Sequence, residues 1–308
     1  MKIHELKAEY KKGTIPKQKY IEMMHQVHEI LFEYSEFIRD TDIASIEISD
    51  GKVTMTSRAY GIKILCDEID HRTAPIEVLN INEYEKSELA IIKRLIGPNF
   101  RIFDIGANIG WYSLVLSKIF KDSNIYSFEP IPKTFLQLKQ NIELNDADNI
   151  HAFNFGFSDQ TGPLTFYYYP EGSGNSSAAK LTDIPSIQKM TCKVKKLDDF
   201  VKQKQLGIDF IKCDVEGAEL FVFQGGLHAI CQNKPIIFTE LLRKWSAKFN
   251  YHPNKIIDLL TNEGYLCFSI KKEHLLKIHE ITEETVETNF FFLHETSHAR
   301  QIKKLVKP

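Results

Sequence analysis

Residues 101–110 read RIFDIGANIG, an apolar run that passes into a glycine-rich turn. An amphipathic run follows at once, from Trp111 to Phe120. This order predicts a strand, a tight turn and a helix, the opening unit of a nucleotide-binding α/β sheet. Gly106 and Gly110 suit such a turn, because a residue without a Cβ atom lets the backbone bend sharply and approach a ligand closely.

The residues around this unit indicate which cofactor it holds. A second strand-like run ends at Glu129, where a carboxylate can accept hydrogen bonds from both hydroxyls of a ribose. From Asp104 to Gly110 the spacing is D-x-G-x-x-x-G, whereas dinucleotide sites use G-x-G-x-x-G to bring a helix against a pyrophosphate. We therefore expect a cofactor with a ribose and no phosphate, of which S-adenosylmethionine is the common example. The spacing disfavours a nicotinamide-dependent dehydrogenase, the alternative from another enzyme class.

Five motifs, in this order, resemble those of the FkbM family of S-adenosylmethionine-dependent methyltransferases. They are Asp104–Ser113, Phe128–Pro130, Gly156–Asp159, Lys196–Phe200 and Ile211–Glu219. The resemblance covers about residues 100 to 295 and implies an α/β class I methyltransferase (Rossmann-like) fold. It also implies adenine contacts at Ser158 and Asp159. The cofactor-binding residues that we predict are Asp104, Gly106, Ala107, Asn108, Gly110, Glu129, Pro130, Ser158, Asp159 and Asp214.

From Phe100 onward, short apolar runs alternate with helical patterns, which predicts a mostly parallel sheet with helices on both faces. The predicted sheet has seven strands, and the last of them is expected to be antiparallel. The predicted strands are 101–105, 124–128, 150–155, 208–213, 235–241, 265–270 and 289–294. The predicted helices between them are 110–120, 131–144, 216–230 and 253–263.

The chain divides into two predicted parts. Residues 1–80 carry an amphipathic helix over 17–39 and a small antiparallel sheet with a hairpin at Asp50-Gly51. We expect this part to serve acceptor specificity or homodimerisation, with the apolar stripe of its helix packed in a core or a dimer. Residues 81–308 form the cofactor-binding domain, and an insertion at 157–200 contains a flexible polar loop.

Composition narrows the classes of partner. With 308 residues, 43% hydrophobic and 26% charged, the chain is typical of a globular protein. A net charge of −2 argues against a nucleic-acid partner. No apolar run approaches the roughly 20 residues that span a bilayer, and the first residues lack a signal-peptide core. The expected location is therefore cytoplasmic.

Carboxylates close several of the predicted strands. Four of them fall at or near a carboxyl end, where ligands bind in open α/β sheets: Asp104, Glu129, Asp214 and Glu240. Like charges at one rim repel unless they share a cation, and S-adenosylmethionine carries an ammonium and a sulfonium. The catalytic candidates that could accept a proton from an acceptor are Asp214, Glu216 and Glu240. We favour Asp214 as a shared contact of cofactor and acceptor, and Glu240 as the acid–base group. These carboxylates could instead hold Mg²⁺ or Ca²⁺.

The family resemblance implies O-methylation of a hydroxyl on a sugar, glycan or glycosylated small molecule. A nucleic-acid or other N-methyltransferase is the first alternative. Base N-methyltransferases place a [D/N/S]-P-P-[Y/F] tetrapeptide after the fourth strand, to hold a flipped base amine. Here that place reads Asp214-Val215-Glu216-Gly217, which lacks the aromatic residue. A non-catalytic interaction protein is the remaining alternative, and the intact set of carboxylates argues against it.

Overall fold

The computed structural model describes residues 3–82 and 84–306. The strands are β1 Ile43–Ser49, β2 Lys52–Ser57, β3 Lys63–Leu65, β4 Arg101–Ile105, β5 Asn124–Phe128, β6 Ile150–Phe153, β7 Gly156–Phe157, β8 Gly162–Tyr168, β9 Gln188–Lys195, β10 Phe210–Cys213, β11 Ile236–Glu240, β12 Tyr265–Lys271, β13 His274–Ile278 and β14 Asn289–His294. The helices are α1 Ile3–Lys11, α2 Lys17–His28, α3 Ile30–Phe37, α4 Ala74–Ile81, α5 Lys86–Leu95, α6 Trp111–Ile119, α7 Pro132–Leu144, α8 Leu197–Lys204, α9 Glu219–Gly225, α10 Leu227–Asn233, α11 Arg243–Ser246, α12 Asn254–Thr261 and α13 Ala299–Leu305. Among these described helices, none has both the length and the apolarity that crossing a bilayer requires.

The central sheet has the strand order β13-β12-β14-β11-β10-β4-β5-β6. Five strands run parallel to one another: β6, β5, β4, β10 and β11. Strand β14 lies between β11 and β12 and is antiparallel to both. The strand order reverses between β4 and β10. The chain segments that follow these two strands therefore lead to opposite sides, which leaves a crevice at the carboxyl ends of the strands. The prediction of a class I methyltransferase fold is confirmed, including the antiparallel last strand.

The sheet differs from the prediction at one edge. All seven predicted strands are present, but β13 adds an eighth strand that pairs antiparallel with β12. No strand is predicted between residues 270 and 289. Its short run His274–Ile278 has one fully buried residue, Leu275, because the strand lies at the sheet edge. Such a weak apolar pattern is typical of an edge strand and is easily overlooked.

Two apolar layers cover the central sheet. On one face, side chains of α5 and α6 pack with those of the N-terminal sheet, among them Ile64, Ile91 and Leu114. On the other face lies a cluster of aromatic rings, in which the ring of Phe128 lies 5.2 Å from that of Phe200 and 5.4 Å from that of Phe103. These layers hold the carboxyl ends of the central strands in fixed positions.

Asn141 of α7 and Asn145, the residue that follows this helix, attach the small sheet β1-β2-β3 to the rest of the protein. Asn141 accepts a hydrogen bond from the backbone N–H of Leu65 at 2.8 Å and donates one to the carbonyl of Ile109 at 2.8 Å. Asn145 accepts from the backbone N–H of Lys63 at 2.7 Å and donates to its carbonyl oxygen at 2.6 Å. The two side-chain amides therefore form hydrogen bonds with the backbone at the edge of β3, as a further strand would.

The N-terminal helices differ from the prediction. The helix expected over 17–39 is divided into α2 and α3, and α1 precedes them. Neither α2 nor α3 contains a buried side chain, so the apolar stripe does not pack in a core of the described chain. The prediction was packing in a core or a dimer, and the dimer stays a prediction; within the described chain, α1 covers part of the stripe.

The insertion forms a sheet of its own. Strand β9 pairs parallel with β7 and antiparallel with β8. The polar segment 171–177 lies in the connection between β8 and β9 and includes a short 3₁₀ turn, Ser173–Asn175. Ser173 and Ser177 are buried, so this segment is packed against the protein rather than extended into solvent.

Candidate active site

A cavity of 440 Å³ lies at the carboxyl ends of β4, β5, β10 and β11. The predicted site residues that line it are Gly106, Ala107, Asn108, Glu129, Pro130, Asp214, Glu216 and Glu240. The structure therefore brings together the glycine turn, the predicted ribose carboxylate and all three catalytic candidates. These residues are far apart in sequence and meet because parallel strands end at the same edge.

Gly106 begins the turn with a left-handed φ of +78°. A Cβ atom at this position would lie 1.8 Å from the carbonyl oxygen of Asp214, so a side chain is excluded by the neighbouring strand. The backbone N–H groups of Gly106 and Ala107 both donate to the carbonyl of Phe128, at 3.1 and 3.0 Å. The turn is thereby pressed between the ends of β5 and β10.

Glu129 is buried at the floor of the cavity. One carboxylate oxygen accepts a hydrogen bond from the backbone N–H of Asn108 at 3.1 Å, and the other accepts from that of Ile131 at 2.9 Å. Burial raises the pKa of Glu129 to about 7, although these two hydrogen bonds favour the ionised form. Each oxygen retains a further lone pair, so the carboxylate can still accept from ligand hydroxyls.

Lys212 is a buried lysine of β10 that the sequence analysis did not single out. Its ammonium donates to the carbonyl of Gly106 at 3.0 Å and lies 3.3 Å from Oδ2 of Asp214 and 3.6 Å from Oδ1 of Asp104. Burial alone would lower the pKa of Lys212, but the two carboxylates raise it above its ordinary value. A lysine inside an otherwise apolar strand was the signal in the sequence.

Asp104 does not line the cavity. Its carboxylate is fully buried behind the glycine turn, where Oδ2 accepts a hydrogen bond from the hydroxyl of Ser113 at 2.6 Å. The structure therefore places Asp104 where it supports Lys212 and the start of α6. Its predicted role in cofactor binding would therefore be indirect, through Lys212 and the glycine turn.

The three catalytic candidates form one cluster. Carboxylate oxygens of Asp214, Glu216 and Glu240 all lie within 4.8 Å of one another. Burial, with the charges of Asp214 and Glu219 nearby, raises the pKa of Glu240 to about 9. Burial and the same charge on Asp214 also raise the pKa of Glu216 well above its ordinary value. Without an added cation, the cluster cannot be fully ionised near neutral pH.

The expectation of a divalent metal receives no support beyond this convergence. Asp214 already faces the ammonium of Lys212, which supplies one positive charge to the cluster. Among the residues that the structure describes, Oδ1 of Asp214 and Oε2 of Glu216 are buried and have no hydrogen-bond partner. These two oxygens point to a polar or cationic ligand in the cavity, because buried acceptors are normally paired.

A part of the cavity wall comes from residues that were not among the predicted site residues: Arg72, Ala74, Glu77, Tyr84 and Glu85. Glu85, just before α5, lines the cavity and accepts a hydrogen bond from the phenol of Tyr112. Burial raises the pKa of Glu85 to about 7, and the charge of Asp214 adds to this shift. Tyr84 lies edge-on to Trp111, with ring centroids 5.8 Å apart, and both rings face the cavity. No motif marked these residues, since they precede the glycine turn by about twenty positions.

Three other predicted residues lie outside the cavity wall. Gly110 has a φ of +95° at the start of α6 and approaches the side chain of Leu138. Ser158 is buried beside α9, where a Cβ atom on Gly225 would lie 2.0 Å from its carbonyl oxygen. Asp159 is exposed and accepts a hydrogen bond from the hydroxyl of Ser158 at 3.0 Å. Their roles in cofactor binding remain predictions.

The segment 171–177 covers one side of the cavity. The hydroxyl of Ser173 donates to the side-chain carbonyl of Asn108 at 3.1 Å, and its backbone N–H donates to Asp70 at 3.0 Å. The hydroxyl of Ser177 donates to the carbonyl of Glu216 at 2.8 Å. One loop therefore contacts the glycine turn, the N-terminal region and the carboxylate cluster.

Comparison with known proteins agrees with this geometry. The family model described as the methyltransferase FkbM domain matches residues 104–267, which is more than half of the chain. Methyltransferase 1 of Beauveria bassiana is 30% identical over 142 residues, 40% of this chain and 57% of that protein. The hexuronic acid methyltransferase AglP of Haloferax volcanii is 27% identical over 141 residues, 46% of this chain and 55% of that protein.

A solved structure, the methyltransferase FkbM from Methylobacillus flagellatus, is 16% identical to this chain. The match covers 87% of this chain and 60% of the chain in that structure, with a TM-score of 0.40. The chain also spans well under two thirds of the two curated relatives described above. The family match over residues 104–267 contains the glycine turn, Glu129 and the three clustered carboxylates. On this match, the chain belongs to the FkbM family of methyltransferases.

Proposed function

We propose that this protein is an S-adenosylmethionine-dependent O-methyltransferase that acts on a hydroxyl of a sugar, glycan or glycosylated small molecule. The observation that carries the proposal is that one cavity joins a ribose-type carboxylate, Glu129, to the cluster Asp214, Glu216 and Glu240. Such a cavity offers a place for a nucleoside at one end and a proton acceptor at the other. The family match supports the methyltransferase class.

The cofactor end of the cavity is assigned to the glycine turn and Glu129. The absence of a side chain on Gly106 lets the turn pack against the backbone of Asp214, and the turn lines the cavity there. Glu129 is held in place by Asn108 and Ile131 and would accept hydrogen bonds from both ribose hydroxyls. Asp214, with one unpaired buried oxygen, would contact the cationic amino-acid part of the cofactor.

The acceptor end is assigned to the carboxylates and the aromatic wall. The chemistry supplied by the bound cofactor is a methyl group on a sulfonium, which is already a good leaving group. The protein must hold the acceptor oxygen in line with that group, which can contribute on the order of several kcal/mol by orientation alone. Glu240 would accept the acceptor proton once the positive charge of the bound cofactor lowers its raised pKa and leaves it ionised.

A sugar acceptor suits the remaining wall. Tyr84, Trp111 and Trp245 line the cavity. The indole N–H of Trp111 is buried and has no hydrogen-bond partner within residues 3–82 and 84–306, so it could donate to an acceptor oxygen. Arg72 and Glu77 also line it, so the N-terminal region, residues 1–80, would contribute to acceptor specificity. The relative AglP, which is named a hexuronic acid methyltransferase, supports a sugar as the acceptor class.

The proposal is tested by following a labelled methyl group. The protein is incubated with methyl-labelled S-adenosylmethionine and a pool of sugars, uronic acids and glycosides, and the products are analysed by mass spectrometry. We expect the label on an oxygen of a sugar product. Label on nitrogen, or on an added nucleic acid, would contradict the proposal.

The assignment of Glu240 and Asp214 needs separate titrations of cofactor and acceptor. We expect Glu240→Gln to keep cofactor affinity and lose turnover, and Asp214→Asn to weaken cofactor binding first. Glu143→Gln, on the exposed side of α7, is the matched control. Full turnover in both cavity variants would remove these residues from the mechanism.

A further inference from the structure

Helices α2 and α3 form an almost continuous rod, which the rest of the described chain covers only at its start, where α1 packs on α2. Glu29, which separates them, keeps helical backbone angles, with φ of −55° and ψ of −34°. The large apolar side chains exposed on the rod are Ile21, Ile30, Leu31, Phe32, Tyr34 and Phe37, each between 41% and 68% exposed. An isolated helix of this length is marginal in water, and its stability normally comes from packing of the apolar face.

Four of the apolar residues of the rod follow a regular spacing. Met24, Val27, Leu31 and Tyr34 are separated by three, four and three residues, which is the a/d pattern of a coiled-coil seam. Toward the start of the rod, α1 covers the seam, because Tyr10 stacks on Tyr20 with ring centroids 4.3 Å apart. Within the described residues, Met24 and Val27 of the seam are half-buried, and Leu31 and Tyr34 are exposed.

We propose that this seam pairs with the same seam of a second copy of the chain, as an antiparallel helix pair centred near Glu29. An antiparallel pairing about this residue sets Met24 opposite Tyr34 of the partner subunit. It sets Val27 opposite Leu31 of the partner subunit. A larger residue therefore meets a smaller or more flexible one in every layer, which suits a packed interface.

The charges along the rod favour the antiparallel direction. Residues 17–28 carry two lysines and one glutamate, whereas residues 29–40 carry four acidic residues and one arginine. An antiparallel pair places the basic half of each rod beside the acidic half of its partner. A parallel pair would place the two acidic halves together, at a cost from like-charge repulsion.

The same charges argue against a membrane surface as the occupant. Helices that lie in a bilayer interface carry Lys and Arg on their polar face, which attract anionic lipids. The polar face of this rod instead includes Glu22, Glu29, Glu33, Glu36 and Asp40. A second copy therefore fits the rod better than a lipid surface.

The test is the oligomeric state of the full chain, measured by sedimentation equilibrium over a range of concentrations. We expect a dimer for the wild type. Leu31→Glu should raise the dimer dissociation constant by roughly thirtyfold or more, as expected for loss of a central interface side chain. Phe32→Glu is the matched control: it removes an apolar side chain that is even more exposed, one residue away and off the seam, and should leave the dimer intact.

The direction is tested by cysteine cross-linking against a wild-type background. In an antiparallel pair, Met24→Cys and Tyr34→Cys chains should cross-link when mixed and only weakly when each is alone. Self-cross-linking of each single variant would indicate a parallel pair and overturn the proposed arrangement. A monomeric wild type at tens of micromolar, with or without binding to anionic vesicles, would overturn the dimer. Circular dichroism of each variant verifies that the fold is kept, and neither result depends on methyltransferase activity.

Discussion

The ammonium of Lys212 lies 3.3 Å from a carboxylate oxygen of Asp214, two residues along the same chain. The same ammonium donates to the carbonyl of Gly106, so one buried cation joins the glycine turn to the end of β10. The cofactor end and the acceptor end of the cavity are therefore not independent. A change at Lys212 should affect the fold, the turn and the carboxylate cluster together.

Lys212→Met should strongly destabilise the protein. Removal of the ammonium leaves Asp104, fully buried, without its cation, and breaking a buried pair in this way costs about 3–5 kcal/mol. Urea unfolding measures the loss. Lys202→Met, on the exposed side of α8, removes the same group and should change the stability by no more than about 0.5 kcal/mol. Equal stability of the two variants would show that the buried ammonium does not stabilise the site.

Gly106→Ala, compared with Gly51→Ala, separates two effects at Gly106: the close packing of the turn against Asp214 and the left-handed backbone conformation. Both Gly106 and Gly51 have left-handed φ angles, +78° and +71°, but a Cβ atom at Gly51 meets nothing within 4 Å. Gly51→Ala should therefore cost about 1 kcal/mol, from the backbone conformation alone. Gly106→Ala should cost several times as much and displace Asp214. Similar melting temperatures for the two variants would contradict the packing of the turn against β10.

The stability of the free protein should fall as the pH rises. Burial and neighbouring charges raise the pKa of Glu240 to about 9, from 4.5 for an ordinary glutamate. The folded state then binds more protons than the unfolded state between these values, so stability is lost as pH rises through this range, by up to about 1.4 kcal/mol per pH unit. Urea unfolding at several values between about pH 6 and pH 9 measures the slope.

Glu240→Gln should flatten this slope, because an amide does not ionise. Glu273→Gln, at an exposed turn, is the control and should keep the wild-type slope. S-adenosylmethionine should also flatten it, since an added positive charge lowers the pKa of the clustered carboxylates. A slope that is the same in all four samples would mean that Glu240 ionises as an ordinary carboxyl.

Much of the fold could be predicted from the sequence because its signals are local. The glycine turn, the apolar strands and the family motifs placed all seven predicted strands in the central sheet. Strand β13 was missed because only Leu275 is buried along it. Whether a core or a dimer covers the stripe on α2 and α3 could not be decided from the sequence, since helical periodicity identifies an apolar face but not what covers it.

The site could be predicted only where a motif carries it. Glu129, Asp214 and Glu240 close strands, and their position at one rim follows from parallel topology. Glu85 and Tyr84 reach the same cavity from a loop before α5, which is a tertiary contact that no local pattern encodes. Lys212 had a signal, a charged residue within a buried strand, whose meaning depends on the carboxylates around it.

The segment 171–178 should behave as a lid. Its hydrogen bonds from Ser173 and Ser177 to the cavity wall can close it over bound ligands and exclude water from the reacting oxygen. We expect amide hydrogen exchange in this segment to slow when S-adenosylmethionine is added, and to slow less in Ser173→Ala. Ser186→Ala, which removes a hydrogen bond to Glu171 away from the cavity wall, is the control. Equal protection with and without ligand would argue decisively against a lid.

The most direct test of this account is calorimetric titration of S-adenosylmethionine into the wild type and into Glu129→Ala. Loss of two charge-assisted hydrogen bonds from the ribose should weaken binding by roughly 1.5–3 kcal/mol, on the order of tenfold to a hundredfold. Glu143→Ala, an exposed residue of α7, should bind as tightly as the wild type. We expect micromolar binding to the wild type and the stated loss only in Glu129→Ala. Unchanged affinity in a folded Glu129→Ala variant, or no binding to the wild type, would contradict the account.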